Sequence, residues 1–373
     1  MSAEIKMRGI DRAKRFALSA NPERVKELTL IGIIVLLMLA FGLIVENYFS
    51  GRLFTRLQTG LVIVAMLAVG QTVVVITRNI DLSVGSTVGM AAYVTGTFLG
   101  TSHWANPFVA IGVAVAVGAV LGAFNGVIVA YGGVPSIIAT LGTMAVFRTL
   151  LSLYSGGANI TADTLPDWVI EFNRATVLSI GGLDLRLVFA IGLVGVIVMQ
   201  LALGRLTRGR QLYAVGSNPE AADQAGLPEK PLVFWAFVTS GAFAGLAGFF
   251  FLVRIGTISA TAGTGLELQS VAAAVVGGVS VFGGSGTIFG AFLGATLISM
   301  LELSLIRVPQ VSEFWRDALL GMLILGAVLL DFALQQRFAR RWTASITKGA
   351  TEVEGVVATN GASTPDERGR SDA

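Results

Sequence analysis

The residues able to do chemistry are few, and their types decide which chemistry is open. The chain has no cysteine and one histidine, His103. Disulfides, thiol catalysis and structural zinc need cysteines or clustered ligands, and triad or acid–base catalysis leans on histidine. His103, beside Trp104 and Pro107, reads as part of a short interfacial loop. A P-loop needs Gly-Lys followed by Ser or Thr, but the lysines follow Ile5, Ala13, Val25, Glu229 and Thr347. The chain therefore cannot hydrolyse ATP by that route, and no catalytic or metal-binding set stands out.

What remains is a scatter of polar side chains inside apolar runs. Asp81, Arg148 and Glu302 are the ionisable ones, with Arg254 and Glu267 at run edges. Burying such groups in a membrane is expensive, and these form no chain of acids along one helix, as a proton relay would. The neutral ones are Gln71, Thr72, Asn125, Thr140, Thr143, Thr239, Ser240, Gln269 and Ser270. A path lined by amides and hydroxyls suits a neutral, hydroxyl-rich solute better than an ion. The competing reading is that Ser and Thr only bond carbonyls of their own helices.

The most unusual stretch is 77–86, Thr-Arg-Asn-Ile-Asp-Leu-Ser-Val-Gly-Ser, which puts a cation and an anion between two apolar runs with almost no connector. Asp81 can N-cap the helix that follows, with Ser83 as a second local acceptor. The partial positive charge of that helix start can orient an anion or polar solute. The stretch reads equally well as a tight cytoplasmic turn held by an Arg78–Asp81 pair.

The elements that must position these residues are set by composition. Of 373 residues, 54% are hydrophobic and 13% charged, against about 25% charged in a soluble globular protein. Only lipid can solvate that much apolar surface. A cytosolic enzyme and a disordered chain are excluded, and so is an outer-membrane barrel, whose strands alternate.

Apolar runs fall at 28–45, 57–77, 83–100, 108–131, 134–153, 187–203, 232–253, 268–283, 287–306 and 317–335. The first is not a cleavable signal, because a polar arm precedes it and no small-residue cleavage site follows. Basic residues gather in that arm, around Arg205, Arg208, Arg210 and Lys230, and after the last run at Arg337, Arg340, Arg341 and Lys348. Flanking apolar spans, they signal the cytoplasmic side rather than nucleic acid. Six runs before the internal loop and four after it put all three basic regions on one side. The fold class expected is an all-α polytopic membrane protein of about ten transmembrane helices, both termini cytoplasmic, with Gly-rich interrupted helices. The short eighth and ninth runs are candidates for re-entrant segments. Residues 1–27 form a basic cytoplasmic arm, 28–336 the membrane domain, and 337–373 a disordered cytoplasmic tail. The loop at 155–186 falls outside.

Forty-six glycines exceed what lipid-facing filler needs. Gly118 and Gly122, and Gly290 and Gly294, lie four apart on one helix face, a spacing that lets backbones approach. A faint echo links 85–89, Gly-Ser-Thr-Val-Gly, with 286–290, Gly-Thr-Ile-Phe-Gly. Duplicated halves with interrupted helices are a transporter feature.

The internal loop, 204–231, has punctuation for a short helix over 219–225. Asn218 is a good N-cap and Pro219 suits the first position. Glu220 favours the first turn, Gly226 fits the residue just past the end, and Pro228 blocks continuation. Ala221, Ala222 and Ala225 would give it a small, smooth face. So short a helix is marginal alone, which favours docking on another protein over lying on the membrane.

Five stretches, in order over 28–336, resemble the permease subunits of bacterial ATP-binding-cassette importers of the ribose, xylose and rhamnose class. They are 70–72, 79–86, 135–143 with Arg148, 209–226, and 267–290 with Ala272, Ala273, Gly277, Gly278, Gly283, Gly284 and Gly286. The resemblance implies a dimer of permeases, identical or homologous, with cytoplasmic ATPase subunits that use the ATP and an extracytoplasmic sugar-binding protein. It implies no cofactor in this chain. By it, Arg210, Asn218, Pro219, Glu220, Ala221, Ala222, Ala225 and Gly226 match the ATPase-coupling region. Gln71, Thr72, Asn79, Asp81 and Ser83 match the pattern near the translocation path, to which Asn125, Thr140, Thr143 and Glu267 are added as candidates. Thr77-Arg78 departs from the two small residues usual in ribose-type proteins. With Thr264-Gly265-Leu266-Glu267 and Arg307-Val308-Pro309 it looks closest to autoinducer-2 and rhamnose permeases. The alternative class is an ion-coupled secondary transporter, which would run without ATP.

Overall fold

A computed structural model of the chain describes residues 22–102 and 104–308, plus the isolated positions 315, 318, 321, 322, 325 and 326. His103, the arm before residue 22, most of the tenth apolar run and the tail lie outside the described residues.

Long helices dominate. They are α1 (Pro22–Ile44), α2 (Gly51–Ile76), α3 (Val84–Thr101), α4 (Pro107–Gly126), α5 (Ser136–Ser155), α7 (Leu187–Arg205), α10 (Glu229–Ile255) and α12 (Ile288–Leu305). A π turn, Val127–Tyr131, extends α4. Local chemistry fixes several starts. The Ser50 side chain accepts from the Leu53 amide to cap α2, and Asn106 caps α4 with Pro107 at its first turn.

Among the described residues, seven helices are long and apolar enough to cross a membrane: α1, α2, α4 with its π turn, α5, α7, α10 and α12. The other expected runs behave differently. α3 reaches 18 residues, but its glycines, serines and threonines keep it out of that set. The eighth run stops early: α11 (Leu266–Val276) is 11 residues long, and 277–287 is unwound. The eighth run is thus a short helix, broken over 277–287, that leads into α12.

α2 is the hub, with 89% of its most apolar window buried, against 11% for α1. It packs against α10, α7, α11 and α12. Lipid offers no hydrophobic drive for helix association, so close packing must supply it. The α4–α10 crossing does so backbone to backbone. A Cβ on Gly118 would lie 2.1 Å from the Gly241 carbonyl oxygen, and one on Gly241 would lie 2.2 Å from that of Gly118.

At one end of the bundle the loop at 155–186 folds into α6 (Trp168–Arg174) and a hairpin of β1 (Thr176–Ile180) and β2 (Leu183–Arg186). The strands are antiparallel, with Ser179 opposite Asp184 and Ile180 opposite Leu183. Gln58 of α2 pins the hairpin. Its Nε2 donates to the Asp184 carbonyl at 2.7 Å and its Oε1 accepts from the Arg186 amide at 3.0 Å. The other end carries α8 (Thr207–Ser217) and α9 (Pro219–Gln224).

Candidate functional site

The first break follows α2. The Arg78 amide donates to the Val75 carbonyl at 2.9 Å and the Asn79 amide to that of Val74 at 3.3 Å. That pair of bonds closes a helix through a left-handed residue, here Arg78 at φ 65°. The chain then runs extended beside α5. In a membrane every backbone group needs a protein partner, and four consecutive amides find one in a side chain. Ile80 donates to Ser136 Oγ at 3.1 Å and Leu82 to Thr140 Oγ1 at 3.1 Å. Ser83 donates to Asp81 Oδ1 at 2.9 Å. With its amide oriented to meet both partners, Gln71 accepts from the Asp81 amide and donates to the Asp81 carbonyl, each at 3.1 Å.

The spacing makes this possible. Residues four apart on a helix rise about 6 Å, and residues two apart in an extended chain span about 6.6 Å. Ser136 and Thr140 therefore match Ile80 and Leu82.

The side chains behind the break form a second layer. Asn125 Nδ2 donates to Ser83 Oγ at 2.7 Å, and Ser83 Oγ donates to Asp81 Oδ1 at 2.7 Å. Ser240 Oγ donates to Asp81 Oδ2 at 3.4 Å. Gln71, Asp81, Ser83, Asn125 and Thr140 are all essentially closed to solvent.

The other path candidates are not part of this cluster. Thr72 Oγ1 bonds the Ala68 carbonyl at 2.6 Å and Thr143 Oγ1 the Thr140 carbonyl at 3.3 Å, both within their own helices. Asn79 Nδ2 folds back on the Thr77 carbonyl at 2.9 Å. Glu267 lies over the first turn of α3, so close that a Cβ on Gly85 would overlap its Oε2. That oxygen is buried without a hydrogen-bond partner. Two expectations for the stretch are corrected. Ser83, not Asp81, holds the N-cap position of α3, without a side-chain cap bond; the Asp81 carboxyl instead closes a local turn onto Ser83. Nor do Arg78 and Asp81 pair: Asp81 is buried while Arg78 is exposed and turns the other way.

Ser136, which the sequence marks only as part of the 135–143 stretch, is the added functional residue. Its signal was its place one turn before Thr140, beside the break's own polar run.

The second break, 277–287, follows α11 with the same closing turn. Gly278, at φ 90°, donates to the Val275 carbonyl at 2.9 Å and Val279 to that of Ala274 at 3.0 Å. Backbone bonds hold much of the rest. Ser280 donates to Ser285 at 3.1 Å, and Gly284 donates to the Ile76 carbonyl at the end of α2, at 2.9 Å. The two breaks therefore touch.

α8 sits on both, and α9 follows it directly. Arg78 Nε donates to the Gly216 carbonyl at 2.6 Å and Nη2 to that of Ser217 at 2.7 Å. Tyr213 Oη donates to the Gly286 carbonyl at 2.7 Å. α9 is closed at both ends. Asn218 Oδ1 accepts from the Ala221 amide at 3.1 Å, Ala225 is the C-cap, and Gly226 takes φ 73°. Glu220, Ala221 and Ala225 face outward, with Arg210 exposed nearby on α8 and Pro219 half-buried. Ala222 does not share their face; it is 5% exposed and packs into the core, because successive helix positions diverge by about 100°.

A separate cavity of about 760 Å³ lies toward the hairpin end, lined by Arg56, Arg254, Gln269 and Glu302 among others. None of the side chains holding the first break lines it.

Comparison with known proteins places this architecture. The family described as the permease component of branched-chain amino acid transport systems matches residues 53–328. The chain belongs to this permease family. It is 36% identical over 322 residues to the autoinducer 2 import system permease protein LsrC of Salmonella typhi, covering 85% of this chain and 89% of that protein. The corresponding protein of Yersinia pestis strain Pestoides F is 37% identical over 329 residues, covering 84% and 90%. That of Yersinia enterocolitica is 36% identical over 326 residues, covering 84% and 87%. No solved structure matches the chain. The permease is a multi-pass inner-membrane protein, and the broken segments lie within the matched region.

Proposed function

We propose that this permease is the membrane subunit of an ATP-driven importer. It would translocate a neutral monosaccharide or sugar-like solute of the rhamnose, pentose or autoinducer-2 type. An extracytoplasmic binding protein would deliver the solute, a second permease, identical or homologous, would complete the pathway, and cytoplasmic ATPase subunits would bind and hydrolyse the ATP. The observation that carries this reading is α9. It is a helix too short to persist alone, yet it is capped at both ends. It presents Glu220, Ala221 and Ala225 outward, and α8, which leads directly into it, is bonded to both helix breaks. Such an element suits a partner that pushes on it. The names of the relatives at 36–37% identity point to the same class of import system.

In this reading Gln71, Asp81, Ser83, Asn125 and Thr140 shape the path by holding an unwound backbone in place. Thr72, Asn79, Thr143 and Glu267 border it. Arg210, Asn218, Pro219, Glu220, Ala221, Ala225 and Gly226 form or build the docking face, and Ala222 supports it from beneath.

The test is co-purification from native membrane in mild detergent, followed by reconstitution. The assembled complex should contain an ATPase, and its vesicles should take up labelled rhamnose, ribose, xylose or autoinducer-2 only with ATP and the binding protein. Uptake that ignores ATP and follows an ion gradient would replace this reading with a secondary transporter.

A further inference from the structure

Among the described residues, three helix ends close through the same pair of backbone bonds, at Arg78, Gly226 and Gly278. The left-handed position is glycine in two of them, at φ 73° and 90°, and arginine in the third, at φ 65°. A Cβ is disfavoured in that conformation, so the backbone alone would select glycine at residue 78. The side chain accounts for the exception. Its Nε and Nη2 take the carbonyls of Gly216 and Ser217, the last two residues of α8. Those are carbonyls a helix leaves unpartnered, at an end that favours a cation.

The surroundings are cut to admit the clasp. A Cβ on Gly283 would lie 2.4 Å from Arg78 Cγ, and one on Gly216 would lie 1.7 Å from the Ile76 carbonyl oxygen. On one side of the clasp the next residue is Asn218, the N-cap of α9. On the other side Ile80, Asp81 and Leu82 are held by Ser136, Gln71 and Thr140.

We propose that Arg78 is a positioning residue for energy coupling: its guanidinium ties the start of α9 to the first break, so that displacement of α9 by the ATPase moves 77–83 with it. This rests on the importer reading. Without the clasp, α9 would move against a slack connection, and hydrolysis would continue without matched translocation.

The test uses the whole complex with its ATPase subunits and binding protein, reconstituted in vesicles. The readout is solute imported per ATP hydrolysed, for whichever labelled solute of the panel above the wild type carries. Arg78→Gly is the informative variant, because it keeps the left-handed turn and removes only the clasp. Its import per ATP should fall about tenfold or more while hydrolysis stays within about twofold. Arg78→Lys, which can reach one carbonyl, should fall between it and wild type. Import per ATP within about twofold of wild type in Arg78→Gly would overturn the proposal. So would a parallel fall in uptake and hydrolysis. If Arg78→Gly fails to assemble, Arg78→Lys decides: a fall of about threefold or more supports the clasp, and an unchanged ratio overturns it. A wild-type complex without ATP-driven uptake would sink the importer reading and the clasp together. A coupled wild type with an equally coupled Arg78→Gly would sink the clasp alone.

Discussion

The two helix breaks start from the same turn and are then stabilised by opposite means. α2 and α11 both end through a left-handed residue, and both lead through unwound chain into another helix. After α2, the amides of residues 80–83 are met by side chains: Ser136 and Thr140 from α5, Gln71 from α2 itself, and Asp81 from the break. After α11, the bonds are mostly backbone to backbone, and glycines at 278, 283, 284 and 286 all take positive φ. A side-chain acceptor at a fixed place on a neighbouring helix admits one path for the chain. Glycine admits many. The first break is therefore wired to its surroundings by side-chain acceptors, whereas the second is built on glycine turns whose backbone is tied to Ile76 and Tyr213.

The strongest way to break this contrast is Gln71→Leu. It strands the Asp81 amide and carbonyl together, and each buried group left unsatisfied costs about 1–3 kcal/mol. Thermal unfolding of the purified protein in detergent should show a loss of about 2–6 kcal/mol. A loss below about 1 kcal/mol would mean that the first break is no more fixed than the second. Next in size is Thr140→Val, an isosteric change that removes the acceptor for Leu82. It should cost about 1–3 kcal/mol, while Thr143→Val, whose hydroxyl serves only its own helix, should cost under about 0.5. Equal losses at the two threonines would erase the distinction between a hydroxyl that holds the break and one that does not.

That pair of threonines also marks the limit of what the sequence discloses. Composition and charge bias reveal a polytopic helical protein, because lipid imposes one solution on apolar runs. The caps of α9 are legible at Asn218, Pro219 and Gly226, because capping is chemistry between near neighbours. The partners of Gln71 and Thr140 are not, because whether a polar residue serves its own helix or another chain segment depends on tertiary placement. The echo between 85–89 and 286–290 illustrates the same limit. The first copy lies inside the early turns of α3, and the second straddles the Thr287 cap of α12. What recurs structurally is the closing turn upstream, which the letters Arg78 and Gly278 conceal.

Swapping those letters sharpens the comparison. Gly278→Ala places a Cβ in the left-handed region and should cost about 1 kcal/mol. Arg78→Gly relieves about the same strain but forfeits two hydrogen bonds from an exposed guanidinium, so stability should change by less than about 1 kcal/mol either way. A loss above about 3 kcal/mol would make Arg78 a structural brace instead of a link.

The smallest effect on stability should come where the effect on transport is large. Ala222 and Ala225 are three apart on α9, yet one is buried and the other exposed. Ala222→Leu inserts volume into a packed interior and should cost about 1–3 kcal/mol. Ala225→Leu adds volume only on an exposed face, and stability should move by less than about 0.5 kcal/mol. If α9 docks on an ATPase through its outward face, Ala225→Leu should abolish ATP-driven uptake and weaken ATPase co-purification in a protein that unfolds as the wild type does. Full uptake in Ala225→Leu, with loss confined to Ala222→Leu, would show that α9 matters as packing and not as a contact surface. The wired break would then have nothing to be driven by.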